Sequence, residues 1–307
     1  MTSWGLVSTI LAPTPDILRF VAYHLDRGAQ RLYIYLDADT PDAYAALKDH
    51  PKVRVTTCDA AHWQRLGAAR PDKHQARQTL NATHAYRRNP EVDWLIHIDV
   101  DEFLVPHAPI PDVLGAVPAT RNLVRIRPME ALGGSTEAFK GFIPADGRRR
   151  QRVTQMYPNF GKHLTGGFVS HILGKIFIRT GLPDITLRIH NAFQGDVGLP
   201  DCVDLPQIDL AHFHAKTWDD WRAAYDFRLD RGSYRAELKP SHTGVSLNTL
   251  FHQIVAAHGE AGLRMFYDEA IGDSPDLRAR LDAQGLLRIA SLDFDTPVAR
   301  HFPKAPV

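Results

Sequence analysis

The sequence predicts an α/β protein with a mostly parallel sheet covered by helices on both faces, followed by a helical C-terminal region. Short apolar runs alternate with helix-period stretches over the first hundred residues, Thr-Pro helix starts follow two of those runs, and helical patterning dominates from Thr217 onward. Residues 5–12 read as a short buried strand. Thr14 then caps a helix with Pro15 at its first position, running through Ile17, Leu18, Val21, His24 and Leu25 to a stop at Gly28. Residues 31–37, where Leu32, Ile34 and Leu36 alternate with tyrosines, form a second strand, and Thr40-Pro41 opens a second helix reaching Lys48. Residues 52–57 make a third strand, and 72–88 a long helix with Ala76, Leu80, Ala82 and Tyr86 available for packing. The run from Asp93 to Pro106 contains the fourth strand.

Beyond Pro106 the pattern is less regular. Residues 123–127, 175–179, 187–190 and 208–214 read as strands, and the Gly/Pro-rich stretches 133–147 and 158–167 as loops able to fold over a site. Helices are predicted over 218–230, 247–257 behind Ser246, 260–271, and 275–283 behind Ser274.

Composition narrows the function classes. The chain has 307 residues and 44% hydrophobic content, enough to fill a sizeable core. Thirty-six basic against 35 acidic side chains leave a formal charge of +1, so no global field favours nucleic acid or an anionic membrane. Arg148-Arg149-Arg150 with Arg152 reads as a solvated basic face. Cys58 and Cys202 are too few for a disulfide scaffold and fit a reducing compartment, which makes the cytoplasm the expected location. Residues 4–11 are apolar but lack the basic leader of a signal peptide, and no stretch reaches the roughly 20 apolar residues of a spanning helix. Any membrane association would be peripheral.

The most informative segment is Asp93-Trp94-Leu95-Ile96-His97-Ile98-Asp99-Val100-Asp101-Glu102-Phe103-Leu104-Val105-Pro106. It reads as a buried strand whose C-terminal end carries Asp99 and Asp101 on one side. Desolvating such anions costs several kcal/mol unless a cation or donors compensate, and a divalent metal is the simplest compensation. At i and i+2 on a strand the two carboxylates stand ~6–7 Å apart, close enough for one hard ion or its waters. That pattern points to a phosphate-bearing substrate. In a parallel sheet ligands sit outside the carboxyl ends of the strands, where Asp37-Ala38-Asp39 also falls. A second feature is His212-Phe213-His214-Ala215-Lys216, whose two histidines at i and i+2 face the same way on an apolar strand. One of them completes the metal site in the sharper reading; in the plainer one both are packing residues.

Residues 18–28, Leu32-Tyr33-Ile34-Tyr35, the segment 93–104, His212-Phe213-His214-Ala215-Lys216-Thr217-Trp218 and Arg231-Gly232 together resemble the glycosyltransferase family 2-like proteins related to family 92, in the same order along residues 5–235. The hydrophobic strand before Asp-x-Asp and the Glu-Phe-Leu after it make this copy specific. The resemblance implies a GT-A type fold with a Rossmann-like, mostly parallel sheet, a nucleotide-diphosphate sugar donor, and a divalent ion, Mn²⁺ or Mg²⁺, at the aspartates. It divides the chain into a nucleotide-sugar-binding half, 1–106, an acceptor and metal-completing half of the same domain, 107–235, and a helical extension, 236–307. It places Asp37 and Asp39 on the donor's nucleotide, Asp99 and Asp101 at the metal, and His212 or His214 as a third protein ligand. Arg77 matches an arginine that pairs with the pyrophosphate or fixes the Asp37 segment. Lys175 and Lys216 are candidate phosphate or acceptor contacts, with surface lysine as the alternative. Relatives commonly carry Asn-Glu after the first strand, whereas this chain has Ala12-Pro13-Thr14-Pro15.

Breaking the anomeric bond leaves a diphosphate whose growing charge a metal held by Asp101 can offset. An inverting transferase also needs a base for the acceptor hydroxyl, for which Glu130 and Glu137 are the candidates, with Asp196 and Asp201 as outsiders. The expected function is therefore metal-dependent transfer of a sugar to a saccharide or lipid-linked acceptor in cell-surface polysaccharide synthesis. The alternatives are a nucleotidyl or phosphoryl transferase using the same carboxylates, and a non-catalytic nucleotide- or carbohydrate-binding module that kept the fold.

Overall fold

The computed structural model describes residues 1–199, 202–238 and 243–304. The chain begins β1 (Trp4–Ile10), α1 (Thr14–Asp26), β2 (Arg31–Leu36), α2 (Pro41–Leu47), β3 (Val53–Thr57), α3 (Ala60–Arg65), α4 (His74–Arg87) and β4 (Trp94–His97). There follow β5 (Glu102–Pro106), α5 (Ile110–Gly115), β6 (Leu123–Ala131), β7 (Ala138–Lys140), α6 (Arg149–Met156), β8 (Lys175–Arg179), β9 (Ile185–Leu187), β10 (Ala192–Gln194), β11 (Val197–Gly198) and β12 (Val203–His212). It closes with α7 (Trp218–Ala223), α8 (Tyr225–Asp230), α9 (Leu247–Ala270), α10 (Pro275–Ala283), β13 (Leu287–Ile289) and α11 (Asp295–His301). Contacts divide it into two units, Met1–Arg127 with Leu173–Leu210 and Asp293–Val307, and Pro128–Ile172 with Ala211–Leu292. These limits follow packing and are drawn differently from the stretches 1–106, 107–235 and 236–307 expected from the sequence.

The first unit is mixed α/β around a mostly parallel sheet. Strands β3, β2, β1 and β4 lie side by side and parallel, with Ile10 level with Leu36, Leu36 with Thr57, and Val7 with His97. Every residue of β1 is buried, as expected of a strand covered on both faces. One face packs Val7, Tyr33, Tyr35 and Leu95 with Ala82, Ala85 and Tyr86 of α4. Antiparallel β8 extends the sheet beyond β4, with Ile96 level with Phe177, so its first residue, Lys175, arrives beside the residues that follow His97. The first half of β6 pairs with β8. Helix α11 packs on α1, where Asp26 accepts from Arg300 at 2.7 Å and pairs with His301 at 2.9 Å.

In the second unit, the latter half of β6 pairs with β7, and β7 with β13. Its core is aromatic: Trp221, Tyr225, Tyr234, Phe251, Phe266 and Tyr267 pack together. The helices expected over 247–257 and 260–271 form one run, α9, broken at Gly259, whose φ of 57° and ψ of −144° are not helical. Ser246 and Ser274 cap α9 and α10 by accepting from the Thr249 and Leu277 amides.

The fourth strand, expected to reach Asp99 and Asp101, stops short of them. Strand β4 ends at His97, and a turn follows in which the Glu102 amide donates to the Asp99 carbonyl at 3.1 Å and the Asp99 amide to the Glu102 carboxylate at 2.8 Å. Asp99 and Asp101 therefore stand on a turn between two strands. The basic run 148–152 largely lies in α6, and Asp59 caps a helix, α3, that the apolar pattern does not reveal. Gly174 permits the approach of β8 to β6: its φ is +71°, and a Cβ there would sit 2.0 Å from the Ile126 carbonyl oxygen. Gly174→Ala is expected to lower the unfolding free energy by more than about 2 kcal/mol, measured by urea denaturation; an unchanged midpoint refutes this account of the turn into Lys175.

Candidate functional site

Two groups of charge mark the carboxyl edge of the parallel strands. Asp37, directly after β2, is buried and meets Arg77 Nε at 2.8 Å, Arg70 at 3.0 Å and His74 at 3.5 Å. Burial alone would raise its pKa; hydrogen bonds from His74 and Arg77 and the two guanidinium charges outweigh that and hold it below the usual carboxylate value. Arg77 also donates to the carbonyls of Pro71 and Asp72 at 2.8 and 2.7 Å, so it ties the Asp37 segment to the start of α4. Asp39 is exposed. Beside this group lies an open cavity of about 600 Å³ lined by Cys58, Asp59, Trp63, Gln64 and Arg70, among others.

The second group is the turn after β4. Lys175, fully buried, places its ammonium 2.6 Å from Asp99 and 3.1 Å from Glu102, whose side chain is fully buried too. Gln78 donates to the other Asp99 oxygen. Burial disfavours the charged lysine, but the two carboxylates more than offset it and raise its pKa. His97, one strand position earlier, is driven the other way: burial and then Lys175 lower its pKa to about 4, leaving a neutral ring. Lys175 is thus neither a surface lysine nor an outward phosphate contact but the counter-ion of the acid turn. Asp101 is partly exposed on the same turn. Three carboxylates against one ammonium leave the turn net negative, and its hard oxygens suit a divalent cation of the Mg²⁺ or Mn²⁺ type.

Of the remaining expected residues, Glu130, Glu137, His212, His214 and Lys216 lie in the second unit. Glu130 on β6 is buried, ion-paired with Lys140 and hydrogen-bonded by the amides of Val169 at 3.3 Å and Ser170 at 2.8 Å. Burial would raise its pKa, yet Lys140 above all brings it down to about 2. Enclosed in this way, it offers no face to an acceptor hydroxyl, which corrects its expected place as a base candidate. Glu137 is exposed, as are Asp196 and Lys216, while Asp201 lies outside the described residues. His214 pairs through Nε2 with the Tyr234 hydroxyl at 3.0 Å, and burial holds it neutral, well below the ordinary imidazole value. His212, at the end of β12, is 6% exposed and stacks on His171 instead.

Residues 12–117, which contain both acid groups, match the sequence model of glycosyltransferase family 92. Over that stretch the chain resembles glycosyltransferase family 92. No curated protein sequence matches it. Solved structures similar to it include HddC from Yersinia pseudotuberculosis, at 12% identity over 74% of this chain and 99% of that one, with a TM-score of 0.35. Another is described as mannose-1-phosphate geranyltransferase from Thermus thermophilus, at 11% identity over 100% of this chain and 72% of that one, TM-score 0.28.

Several residues around the acid groups escape a reading based on apolar periodicity. His74, Arg77, Gln78 and Asn81 recur at i, i+3, i+4 and i+7, the spacing of one helix face, and their polarity is the signal that this face of α4 serves charges. Glu102 carries no comparable mark. Lys175→Met should cost about 3–5 kcal/mol, because it leaves buried Glu102 without its cation; chemical denaturation of the variant checks this, and a wild-type midpoint refutes it. His24 and His97 stay neutral in the fold, their pKa lowered by burial to about 3 and about 4, while the unfolded chain takes up protons below about 6.5. Stability is therefore full above pH 6.5 and falls as pH drops toward 4, by about 1.4 kcal/mol per pH unit for each histidine. Unfolding free energies measured between pH 7 and about 4 test that slope, and a flat profile contradicts it.

Proposed function

We propose that this chain is a metal-dependent glycosyltransferase that moves a sugar from a nucleotide-diphosphate sugar to a saccharide or lipid-linked acceptor, in cell-surface polysaccharide synthesis. The observation that carries this reading is the acid turn Asp99-Val100-Asp101-Glu102 at the carboxyl end of β4, within the residues that match the family 92 model. The Asp37, Arg70 and Arg77 group and its neighbouring cavity lie on the same edge and fit a nucleoside. Among the described residues no helix is long and apolar enough to cross a membrane.

In this reading Asp101 holds a divalent ion, Mn²⁺ or Mg²⁺. Bound there, the ion supplies Lewis-acid neutralisation of the departing nucleoside diphosphate. Lys175 and Gln78 keep Asp99 in one orientation, so the turn meets the donor preorganised rather than reorganising as charge develops. Arg77 fixes Asp37, and partly exposed Arg70 carries positive charge to the edge of the cavity.

Calorimetry with UDP-, GDP- and CMP-sugars, with and without Mn²⁺, tests the proposal. Metal-dependent binding of an intact nucleotide sugar is expected, weakened at least about tenfold in Asp101→Ala while the melting temperature stays near wild type, because removing one anion from an acid cluster relieves repulsion. Binding without turnover on any acceptor, and without donor hydrolysis, would make the chain a binding module. Saturation by a nucleoside triphosphate in place of nucleotide sugars would make it a nucleotidyl transferase.

A further inference from the structure

In the second unit, residues 147–163 hold Arg148, Arg149, Arg150, Arg152 and Lys162 and no acid. The four arginines occupy the start of α6, where the helix dipole and the repulsion of Arg148 and Arg152 at i and i+4 both disfavour cations. Helix stability does not account for such a sequence. We propose that the exposed face of α6 binds an anionic glycan, one whose sugars carry carboxylates. The inference rests on the transferase reading only for the role of that glycan, as acceptor, and deepens the reading by naming the acceptor's class.

The arginines divide into two that hold the helix and two that face outward. Arg149 lies across the Phe142 ring, its guanidinium 5.6 Å from the centroid, and packs against Gly166, where a Cβ would collide with it. Arg152 is partly exposed and pairs with Asp146 at 3.3 Å. Arg148 and Arg150 are exposed, and among the described residues neither guanidinium has an ion-pair partner. Asp146 and Glu269, whose carboxylates reach this segment, are committed to its backbone: Asp146 accepts the Arg148 amide at 2.9 Å, and Glu269 the amides of Asn159 and Phe160, each at 2.9 Å.

The character of this face selects the partner. At spacings of i+3 and i+4, exposed Gln151 follows Arg148 and exposed Thr154 follows Arg150, so forked cations that suit carboxylates alternate with an amide and a hydroxyl that suit sugar hydroxyls. No large apolar or aromatic side chain is exposed between residues 45 and 172. A lipid surface therefore finds nothing here to take up among its tails, and a single-stranded nucleic acid nothing to stack on. The helix is about 12 Å long, which fits a few sugars of a chain rather than the long phosphate tracks of duplex DNA. The formal charge of +1 on the whole chain likewise supplies no broad field for a membrane or for nucleic acid.

The test is binding of a fluorescently labelled oligogalacturonate to the full chain at low salt, with a neutral maltooligosaccharide, a DNA duplex and phosphatidylglycerol vesicles as competitors. Oligogalacturonate should bind, more weakly as salt rises, and the neutral sugar should not displace it. The double variant Arg148→Gln/Arg150→Gln should bind it at least about tenfold more weakly, the scale of a lost charged hydrogen bond. Lys48→Gln/Lys52→Gln, which removes the same charge from exposed lysines of the first unit, should match wild type. The melting temperature of the arginine variant should equal or exceed that of wild type, because the helix dipole is relieved of two cations; a clear fall assigns both side chains to stability and overturns the proposal. Unchanged binding in that variant, or equal competition by DNA or vesicles, overturns it as well. A chain that takes up nucleotide sugar with Mn²⁺ but no oligogalacturonate overturns this inference alone. A chain that holds oligogalacturonate through these arginines but binds no nucleotide sugar keeps the surface and overturns the proposed function.

Discussion

The ammonium of Lys175 lies fully buried between Asp99 and Glu102, and the candidate site depends on that contact. Without a cation at this point, Glu102 would be an anion sealed in the protein, and the turn after β4 would carry three repelling carboxylates. With it, Glu102 can accept the Asp99 amide and close the turn. The antiparallel register of β8 against β4 brings the lysine to that level, and Gly174 lets β8 pass close to β6 on the way. Fold and electrostatics are thus coupled through one side chain. The sheet delivers the cation, and the cation makes an acidic turn compatible with the sheet's edge.

The same device recurs on α4 and on β6. The buried face of α4 carries Arg77, Gln78 and Asn81 where an ordinary amphipathic helix would carry leucines, and each finds a polar partner: Asp37, Asp99, and Thr9 with His62. On β6, Glu130 and Lys140 neutralise each other across the ladder while Glu130 still accepts two loop amides. Buried charge in this protein is consistently used to fix backbone that carries another polar side chain. Such networks hold geometry more firmly than apolar packing does, because every alternative arrangement strands a charge.

The early strands and helices were legible because their periods are clean: Thr14-Pro15 and Thr40-Pro41 start helices where expected, and Leu32, Ile34 and Leu36 lie in a buried strand. The family resemblance was legible from the segment around Asp99 and agrees with the match over residues 12–117. Less was visible where a long-range partner decides the outcome. The strand from Trp94 looks as if it reaches Asp101 because its apolar alternation continues past Asp99; the break comes from Glu102 bonding back to the Asp99 amide, a contact that composition does not encode. Lys175 looked like any lysine at a strand start, and Glu130 like a loop acid, since burial and pairing with Lys140 depend on strands brought together only in the fold. The helix α6 was hidden for the opposite reason: its arginine-rich sequence has few apolar positions to betray a buried face.

The chain leaves and re-enters the first unit repeatedly, and its last visit matters for how that unit is made. Phe294 packs against Phe103 and Tyr23, and Arg300 and His301 grip Asp26 at the end of α1. Until the segment 294–301 docks, this aromatic patch stays exposed. Strands β1 to β4 precede that segment in the chain, so a sheet formed without it has an open side of the kind that transiently exposed apolar surface presents.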